Sequence, residues 1–170
     1  AFQTERVGEI FDAAQFDIII YETVGVGQVE LDIIQAADSI IVVLVPESGD
    51  EIQMMKAGLM EIGNIFAINK SDRPGANKLK ITLQNLLNTI TYENDTWQPE
   101  VINTTAKAGE GIRDLLHSID SHKNYNHSKG IQRTKFNDRY ERRINDLINT
   151  EFKKMFWDES KMKILRLEME

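Results

Sequence analysis

Residues 65–72 have the sequence IFAINKSD, in which a short apolar run is followed by a polar motif. The apolar run predicts a buried β-strand, with the polar loop at its carboxyl end. The Asp72 carboxylate can accept from both N1–H and the exocyclic amine of guanine, a pairing that adenine does not offer. The Asn69 amide can bond the acceptor edge of the base, and the Lys70 stem can lie along its face. The motif favours a guanine-binding loop, although a simple polar turn also fits these residues.

A second loop lies one helix and one strand further along the chain. The predicted strand Val101–Thr104 leads into Thr105, Ala106 and Lys107, and GEGI follows at residues 109–112. Small residues at the end of a strand let backbone N–H groups approach a purine carbonyl, here O6 of guanine. Ligands of open α/β sheets bind at the carboxyl ends of neighbouring strands. The two loops are therefore predicted to form one base-binding site.

A third motif precedes both loops. The apolar run Phe16–Tyr21 predicts another strand, and it is followed by Glu22 and, three residues later, Gly25. A carboxylate at a strand end can hold a water of Mg²⁺, and a glycine N–H can sense a γ-phosphate. Gln28 could orient a water molecule for catalysis, or it is simply a polar loop residue. The order of the three motifs along the chain predicts a GTPase.

The rest of residues 1–125 alternates helical and strand patterns, which predicts a parallel α/β sheet. The strands are continuously apolar, so helices are expected to cover both faces of the sheet. The predicted helices contain Val7–Ala14, Val29–Ala37, Met54–Ile62, Leu79–Ile90 and Ile112–Ile119, and a further strand is predicted at Ile40–Val45.

Composition excludes several classes of function. The chain has 170 residues and no cysteine, which removes disulfides, thiolate metal sites and cysteine nucleophiles. No apolar run is long enough to cross a membrane. Residues 1–128 carry 9 Lys/Arg against 19 Asp/Glu, an acidic balance that argues against nucleic-acid binding. His117, His122 and His127 are five residues apart, a spacing that predicts surface histidines in preference to a metal site.

The tail differs from the body of the chain in charge and pattern. Residues 129–170 carry 11 Lys/Arg against 8 Asp/Glu, and the polar segment 126–130 predicts a linker before them. A long amphipathic helix or a helical pair is expected, and its apolar stripe must pack on the same chain or on a partner. The stripe consists of Tyr140, Ile144, Leu147, Ile148, Phe152, Met155 and Phe156.

Roughly residues 10–125 resemble the MeaB/ArgK-type GTPases, the chaperones of adenosylcobalamin-dependent methylmalonyl-CoA mutase. The family has Glu where most small GTPases have Asp, and Glu22 matches it. The motifs that carry the resemblance are ETVGVGQ at residues 22–28, VLVP at 43–46, GDEIQ at 49–53, KAG at 56–58 and NKSDRPGA at 69–76.

The resemblance implies roles for particular residues. Asn69, Lys70 and Asp72 would contact guanine, with Thr105, Ala106 and Lys107 closing over the base. Glu22 would hold Mg²⁺ through water, and Gly25 would begin the second switch. Residues 46–56 would form a mobile loop that responds to the mutase. It also implies GTP or GDP and Mg²⁺ as cofactors, methylmalonyl-CoA mutase as partner, a homodimer formed by the C-terminal helices, and a cytoplasmic location.

The sequence departs from the family in two respects, of which the first is the absence of an Asp-bearing first switch upstream of Glu22. It also contains no glycine-rich G-x-x-x-x-G-K-[ST] phosphate loop. The expected fold is therefore a parallel-sheet P-loop GTPase fold truncated at its N-terminus, with residues 1–125 as a partial GTPase domain and 126–170 as a helical extension, the dimerisation arm. On its own such a chain should bind GTP more weakly than about 100 μM and release no phosphate. The alternatives are a non-enzymatic, dimerising mutase-binding scaffold and a metal-insertion GTPase, the latter disfavoured by the missing Cys and His clusters.

Overall fold

The structure is a computed structural model that describes residues 2–23, 36–46, 59–93, 95–156 and 161. The chain divides into two compact units, Ala1–Gly130 and Ile131–Glu170. In chain order the elements are α1 (Phe2–Ala13), β1 (Ile41–Leu44), α2 (Leu59–Ile62), β2 (Ile65–Ile68), α3 (Ala76–Thr89), β3 (Glu100–Asn103), a 3-10 turn (Ala106–Ala108), α4 (Ile112–Ser128) and α5 (Ile131–Phe156).

The three strands form one parallel sheet in the order β1-β2-β3. In the register of the sheet, Ile68 lies beside Leu44 on one side and Asn103 on the other, so the three strands end at the same level. All four residues of the central strand β2 are buried. The predicted strands at residues 40–45, 65–68 and 101–104 are confirmed within one residue at each end. The loops that follow β2 and β3 therefore leave the sheet side by side.

Helix α3 packs its apolar face against the sheet and contributes four residues to the core. Leu79, Leu83 and Leu87 recur at spacings of four residues and are buried against Phe66 and Ile68 of β2. This spacing places them on one face of the helix, as the predicted stripe requires. The expectation that helices cover both faces of every strand is wrong for β1, among the described residues. Ile41 and Val43 alternate outward there, and Val43 is 61% exposed.

Helix α4 packs against β2 and β3 through a polar face. Its buried side chains are Ser118, His122 and Asn126, again spaced by four residues. His122 is only 2% exposed, so the prediction of a surface histidine is wrong at this position. The physical reason is that α4 meets polar partners in the segment before β1. The Ser39 hydroxyl lies 2.6 Å from His122 Nδ1, and Asn126 Nδ2 donates to the Asp38 carbonyl at 3.2 Å.

The predicted strand Phe16–Tyr21 is wrong. This run is irregular in the structure, and Ile18 and Ile20 are 77% and 85% exposed. A strand needs a neighbour for its backbone hydrogen bonds, and no described strand pairs with this run. The segment lies against α1, where a Cβ on Gly8 would collide with the Tyr21 hydroxyl. The predicted helix Val29–Ala37 lies almost entirely outside the described residues.

In the part of the tail described up to Phe156, one helix of 26 residues, α5, extends from Ile131. Helix α4 continues to Ser128, so the linker predicted to start at Asn126 is wrong for its first three residues, because the buried Asn126 amide has a partner. The turn that follows contains Gly130 with φ +66°. The apolar stripe of α5 is exposed in the single chain, with Met155 82% exposed. No helix in the described part of the chain is long and apolar enough to cross a membrane.

Candidate guanine-nucleotide site

The first loop of the candidate site follows directly from β2. The Asn69 N–H extends the sheet by donating to the Leu44 carbonyl at 2.8 Å. Ser71 closes the turn by donating its hydroxyl to the Ile68 carbonyl at 2.6 Å. The Ser71 N–H also donates to the Thr104 carbonyl at 3.0 Å, so this loop is bonded to the end of the next strand. The carboxylate-bearing residue of the motif, Asp72, is exposed at the tip.

The Asn69 side chain joins the two loops. Its Oδ1 accepts from the Ala106 N–H at 3.1 Å and lies 3.4 Å from the Thr104 hydroxyl. These partners are 37 and 35 residues away along the chain. Asn69 Oδ1 is therefore used within the protein, which leaves the Nδ2 amide as the group available to bond an acceptor such as N7 of a purine.

The second loop is a closed ring of six residues. Thr105 and Glu110 pair as an antiparallel bridge, with the Thr105 N–H donating to the Glu110 carbonyl at 3.0 Å and the reverse bond at 3.3 Å. The 3-10 turn Ala106–Ala108 lies between them, and Gly109 ends it with φ +75°. The ring presents Ala106 and Lys107 at its exposed end. Because the Ala106 N–H donates to Asn69 Oδ1, the Lys107 N–H is the group at the start of this turn that can donate to the carbonyl oxygen of a ligand.

The structure thus brings together the predicted base-binding residues of both loops at one edge of the sheet. They are Asn69, Lys70, Asp72, Thr105, Ala106 and Lys107. Sequence reasoning missed Thr104, which is 4% exposed and faces both Asn69 Oδ1 and the Ile68 carbonyl. The sequence feature that could have indicated Thr104 is a hydroxyl-bearing residue at the end of a buried strand, because a buried hydroxyl needs an acceptor for its hydrogen bond.

The predicted phosphate and metal residues are Glu22, Gly25 and Gln28, which precede the first strand of the described sheet. Glu22 is exposed in an irregular segment, since the strand predicted before it does not form. Gly25 and Gln28 lie outside the described residues. Among the residues that are described, no group of three or more His, Asp or Glu side chains could hold a metal ion. A lone exposed carboxylate at Glu22 still suits a water-mediated Mg²⁺ contact, because Mg²⁺ prefers oxygen ligands and retains several waters.

A parallel α/β sheet with these two loops at adjacent strand ends has the P-loop GTPase fold. The crystal structure of the LAO/AO transport system kinase is similar, with a TM-score of 0.73 at 24% sequence identity, over 97% of this chain and 54% of that chain. The family model described as "Methylmalonyl Co-A mutase-associated GTPase MeaB" matches residues 1–161. The chain belongs to the MeaB family.

Relatives from several organisms support this assignment. A putative GTPase of Pyrococcus horikoshii is 39% identical, over 82% of this chain and 45% of the relative. The GTPase ArgK of Escherichia coli is 34% identical, over 64% of this chain and 34% of that protein. A mouse protein named as a mitochondrial methylmalonic aciduria type A homolog is 35% identical, over 59% of this chain and 25% of the relative. This chain spans less than half the length of each of these relatives.

Proposed function

We propose that this chain carries the guanine-binding half of a GTPase that binds and hydrolyses GTP and assists adenosylcobalamin-dependent methylmalonyl-CoA mutase, by helping to load and protect its cofactor. The observation that carries the nucleotide part is the Asn69 side chain, which bonds the backbone of the second loop and holds the two predicted base-reading segments together. The family description, which names a mutase-associated GTPase, supports the partner.

In this proposal each residue of the first loop has one task. The Asp72 carboxylate accepts from N1–H and the exocyclic amine of guanine. If adenine were bound, the carboxylate would have neither of these donors and would remain unpaired. The Asn69 Nδ2 amide donates to N7 of the guanine base, and the Lys70 stem covers one face of the base. In the second loop, the backbone N–H of Lys107 donates to O6, while the Ala106 N–H holds Asn69 Oδ1 and Thr105 begins the six-residue ring.

The phosphate end of the nucleotide would use residues nearer the start of the chain. Glu22 would hold a water of Mg²⁺, which neutralises phosphate charge when bound. The Gly25 N–H would respond to the γ-phosphate, and Gln28 would orient the attacking water. Triphosphate affinity and hydrolysis also depend on a glycine-rich phosphate loop. This sequence does not contain one, so for this chain alone we propose base binding without turnover.

We also propose that the helical extension is a dimerisation arm and that the protein works in the cytoplasm. The support for the arm is the exposed apolar stripe of α5, which includes Tyr140, Ile144 and Leu147. Burial of a large apolar side chain contributes about 1.5–3 kcal/mol, so a second copy of the same helix would stabilise the stripe substantially.

The nucleotide proposal is tested by titrating the ¹⁵N-labelled chain with GDP and, as a control, with ADP. We expect the amide signals of residues 69–72 and 105–107 to shift with GDP, with a Kd weaker than about 100 μM because the base pocket alone holds the ligand. ADP should leave these signals in place at the same concentrations. Equal shifts with both nucleotides would contradict a guanine-specific site.

The mutase proposal needs a separate experiment. The purified chain is mixed with an adenosylcobalamin-dependent methylmalonyl-CoA mutase and analysed by size-exclusion chromatography with light scattering. We expect a complex whose mass is the sum of both proteins, and bovine serum albumin in place of the mutase serves as the negative control. Elution as two separate species at tens of micromolar protein would contradict the partner assignment.

A further inference from the structure

Two glycines close to the candidate site have almost the same backbone conformation and very different surroundings. Gly109 has φ +75° and Gly111 has φ +70°, so both lie in the left-handed region. A Cβ added at Gly109 would meet nothing within 4 Å. A Cβ added at Gly111 would collide with the Asn103 carbonyl oxygen. The conformation favours glycine at both positions, but only at Gly111 does the packing also require it.

Gly111 is packed against the peptide that ends the third strand. The added Cβ would also lie 3.1 Å from the Asn103 carbonyl carbon and 3.2 Å from Thr104 Cα, so a side chain would have to displace backbone. That backbone is fixed from the other side. The Thr104 N–H donates to the Ile68 carbonyl at 2.8 Å, and the Thr104 carbonyl accepts from the Ser71 N–H at 3.0 Å. A shift of this peptide would therefore disturb both base-reading loops.

Gly111 also adjoins the ring that carries the Lys107 N–H, the proposed donor to the purine carbonyl. The ring is closed by the two backbone hydrogen bonds between Thr105 and Glu110, and Gly111 follows Glu110 as the N-cap of α4. Because its own hydrogen bonds fix the internal shape of the ring, the orientation of the ring relative to the sheet depends on its contacts with the end of β3. Close contact between Gly111 and the Asn103–Thr104 peptide is one such meeting point.

We propose that Gly111 is a positioning residue for base recognition, and that it holds the ring 105–110 in its binding orientation before any nucleotide arrives. The inference rests on the proposed guanine site. Gly111 itself would not touch the base. Its missing side chain lets the ring lie directly on the strand end, which keeps the Ala106 N–H on Asn69 Oδ1 and aims the neighbouring Lys107 N–H at the 6-position of the purine.

The experiment compares three ligands and three proteins by NMR titration of the full 170-residue chain. GDP is compared with 6-thio-GDP, which has a weaker acceptor at position 6, and with IDP, which lacks the exocyclic amine. The proteins are the wild type, Gly111→Ala, and the matched control Gly109→Ala. For the wild type we expect GDP to bind about 3–10-fold more tightly than 6-thio-GDP, the worth of one net hydrogen bond.

In Gly111→Ala the preference for GDP over 6-thio-GDP should fall to less than about twofold, and the Ala106 amide signal should move in the ligand-free protein. The preference for GDP over IDP should persist, because Asp72 reads the amine from the other loop. Gly109→Ala should keep both preferences. A loss of both preferences in Gly111→Ala, or of neither, would overturn the positioning role.

The outcomes separate this inference from the function on which it rests. If the amide signals of the wild-type chain do not shift with GDP, both the proposed guanine site and the positioning role of Gly111 are refuted. If the wild type and Gly111→Ala prefer GDP over 6-thio-GDP to the same degree, the positioning role of Gly111 is refuted and the proposed function stands. Should Gly111→Ala not fold, amide hydrogen exchange of the wild type decides. A preformed ring requires the Thr105 amide to be protected without nucleotide, and rapid exchange there would contradict it.

Discussion

Lys70 holds a backbone conformation that few residues other than glycine adopt, with φ at 57°. The left-handed region costs a residue with a Cβ on the order of 1 kcal/mol, and such strain persists only where the surrounding structure imposes it. Here the Arg73 N–H donates to the Lys70 carbonyl and the Ser71 N–H donates to the Thr104 carbonyl, both at 3.0 Å. The strain lies inside the predicted guanine motif, and it shapes the loop in the absence of ligand.

The prediction at this scale concerns the choice of base. Asp72→Asn places an amide donor against the donors of guanine, so the preference for GDP over xanthosine diphosphate should fall by about 2–4 kcal/mol. Xanthosine diphosphate should bind better than it does to the wild type, because its exocyclic oxygen accepts. Titration by NMR measures both ligands. Asp114→Asn, which neutralises another exposed carboxylate at the start of α4, serves as the control, and an unchanged GDP preference in Asp72→Asn would refute the assignment.

The two helices that cover β2 stabilise the fold by different means. Helix α3 presents leucines to the apolar core, whereas α4 buries Ser118, His122 and Asn126. The segment before β1 bonds this polar face at His122 and Asn126. Trp97, in the loop before β3, donates its Nε1 hydrogen bond to the Asn64 carbonyl at 2.9 Å. The ring of Trp97 lies 4.8 Å from that of His122, edge to face. Burial of polar groups costs little when each has a partner, as His122 and Asn126 do, whereas the buried Ser118 hydroxyl has no hydrogen-bond partner among the described residues.

For α3 we predict a steep difference between its two faces. Leu83 is fully buried and Ile81 is 59% exposed. Leu83→Ala removes core volume and should lower the free energy of unfolding by about 2–5 kcal/mol. Ile81→Ala on the same helix should change it by less than about 1 kcal/mol. Urea denaturation followed by circular dichroism measures both. Similar losses for the two variants would mean that the core is not where the structure has it.

For α4 the prediction concerns the contact between Ser39 and His122. Ser39→Ala leaves the buried imidazole without its hydroxyl partner, which should cost about 1–3 kcal/mol of unfolding free energy. The control is Ser128→Ala, whose hydroxyl donates to the Tyr125 carbonyl at an exposed position and should matter by less than about 1 kcal/mol. Chemical denaturation at pH 7 compares the two, and a neutral Ser39→Ala would show that the contact does not stabilise the fold.

At the scale of the whole molecule, the main feature of the helical tail is a row of apolar side chains that a single chain leaves exposed. Phe136, Tyr140, Ile144, Ile148, Phe152 and Phe156 follow one another at strict four-residue spacing along α5, and all are exposed. A spacing of four exceeds the 3.6 residues of a helical turn, so this row winds slowly around the helix. A self-complementary partner helix packing along such a row would cross at an angle near −50°, unlike a coiled coil.

Two substitutions on the stripe test the proposed dimer. Leu147→Asp with Phe152→Asp places charges in the apolar interface and should convert a dimer to a monomer, while Ala1–Gly130 stays folded. Multi-angle light scattering gives the mass, and circular dichroism checks the fold. The control, Arg142→Gln with Lys153→Gln, lowers the net charge equally on the other side of the helix and should remain dimeric. A monomeric wild type, or a double mutant that stays dimeric, would refute the arm.

Local pattern alone was sufficient for several elements of this protein. The apolar run before Asn69 and the leucine spacing from Leu79 to Leu87 each specify an element, because strand and helix periodicity are properties of neighbouring residues. The Asn-Lys-Ser-Asp motif likewise indicates guanine through the hydrogen-bonding chemistry of its own side chains. These features depend on separations of a few residues, which a sequence displays directly.

Only the tertiary structure decided the rest. Two contacts join segments that are distant along the chain: the hydrogen bond between Asn69 and Ala106, and the packing of His122 against Ser39. A third, between Gly111 and Asn103, depends on the turn that lies between these two residues. The run Phe16–Tyr21 has the pattern of a strand but has no strand beside it among the described residues. The reason is physical: strand pairing and polar burial depend on which partner is present in space, and periodicity carries no information about that partner.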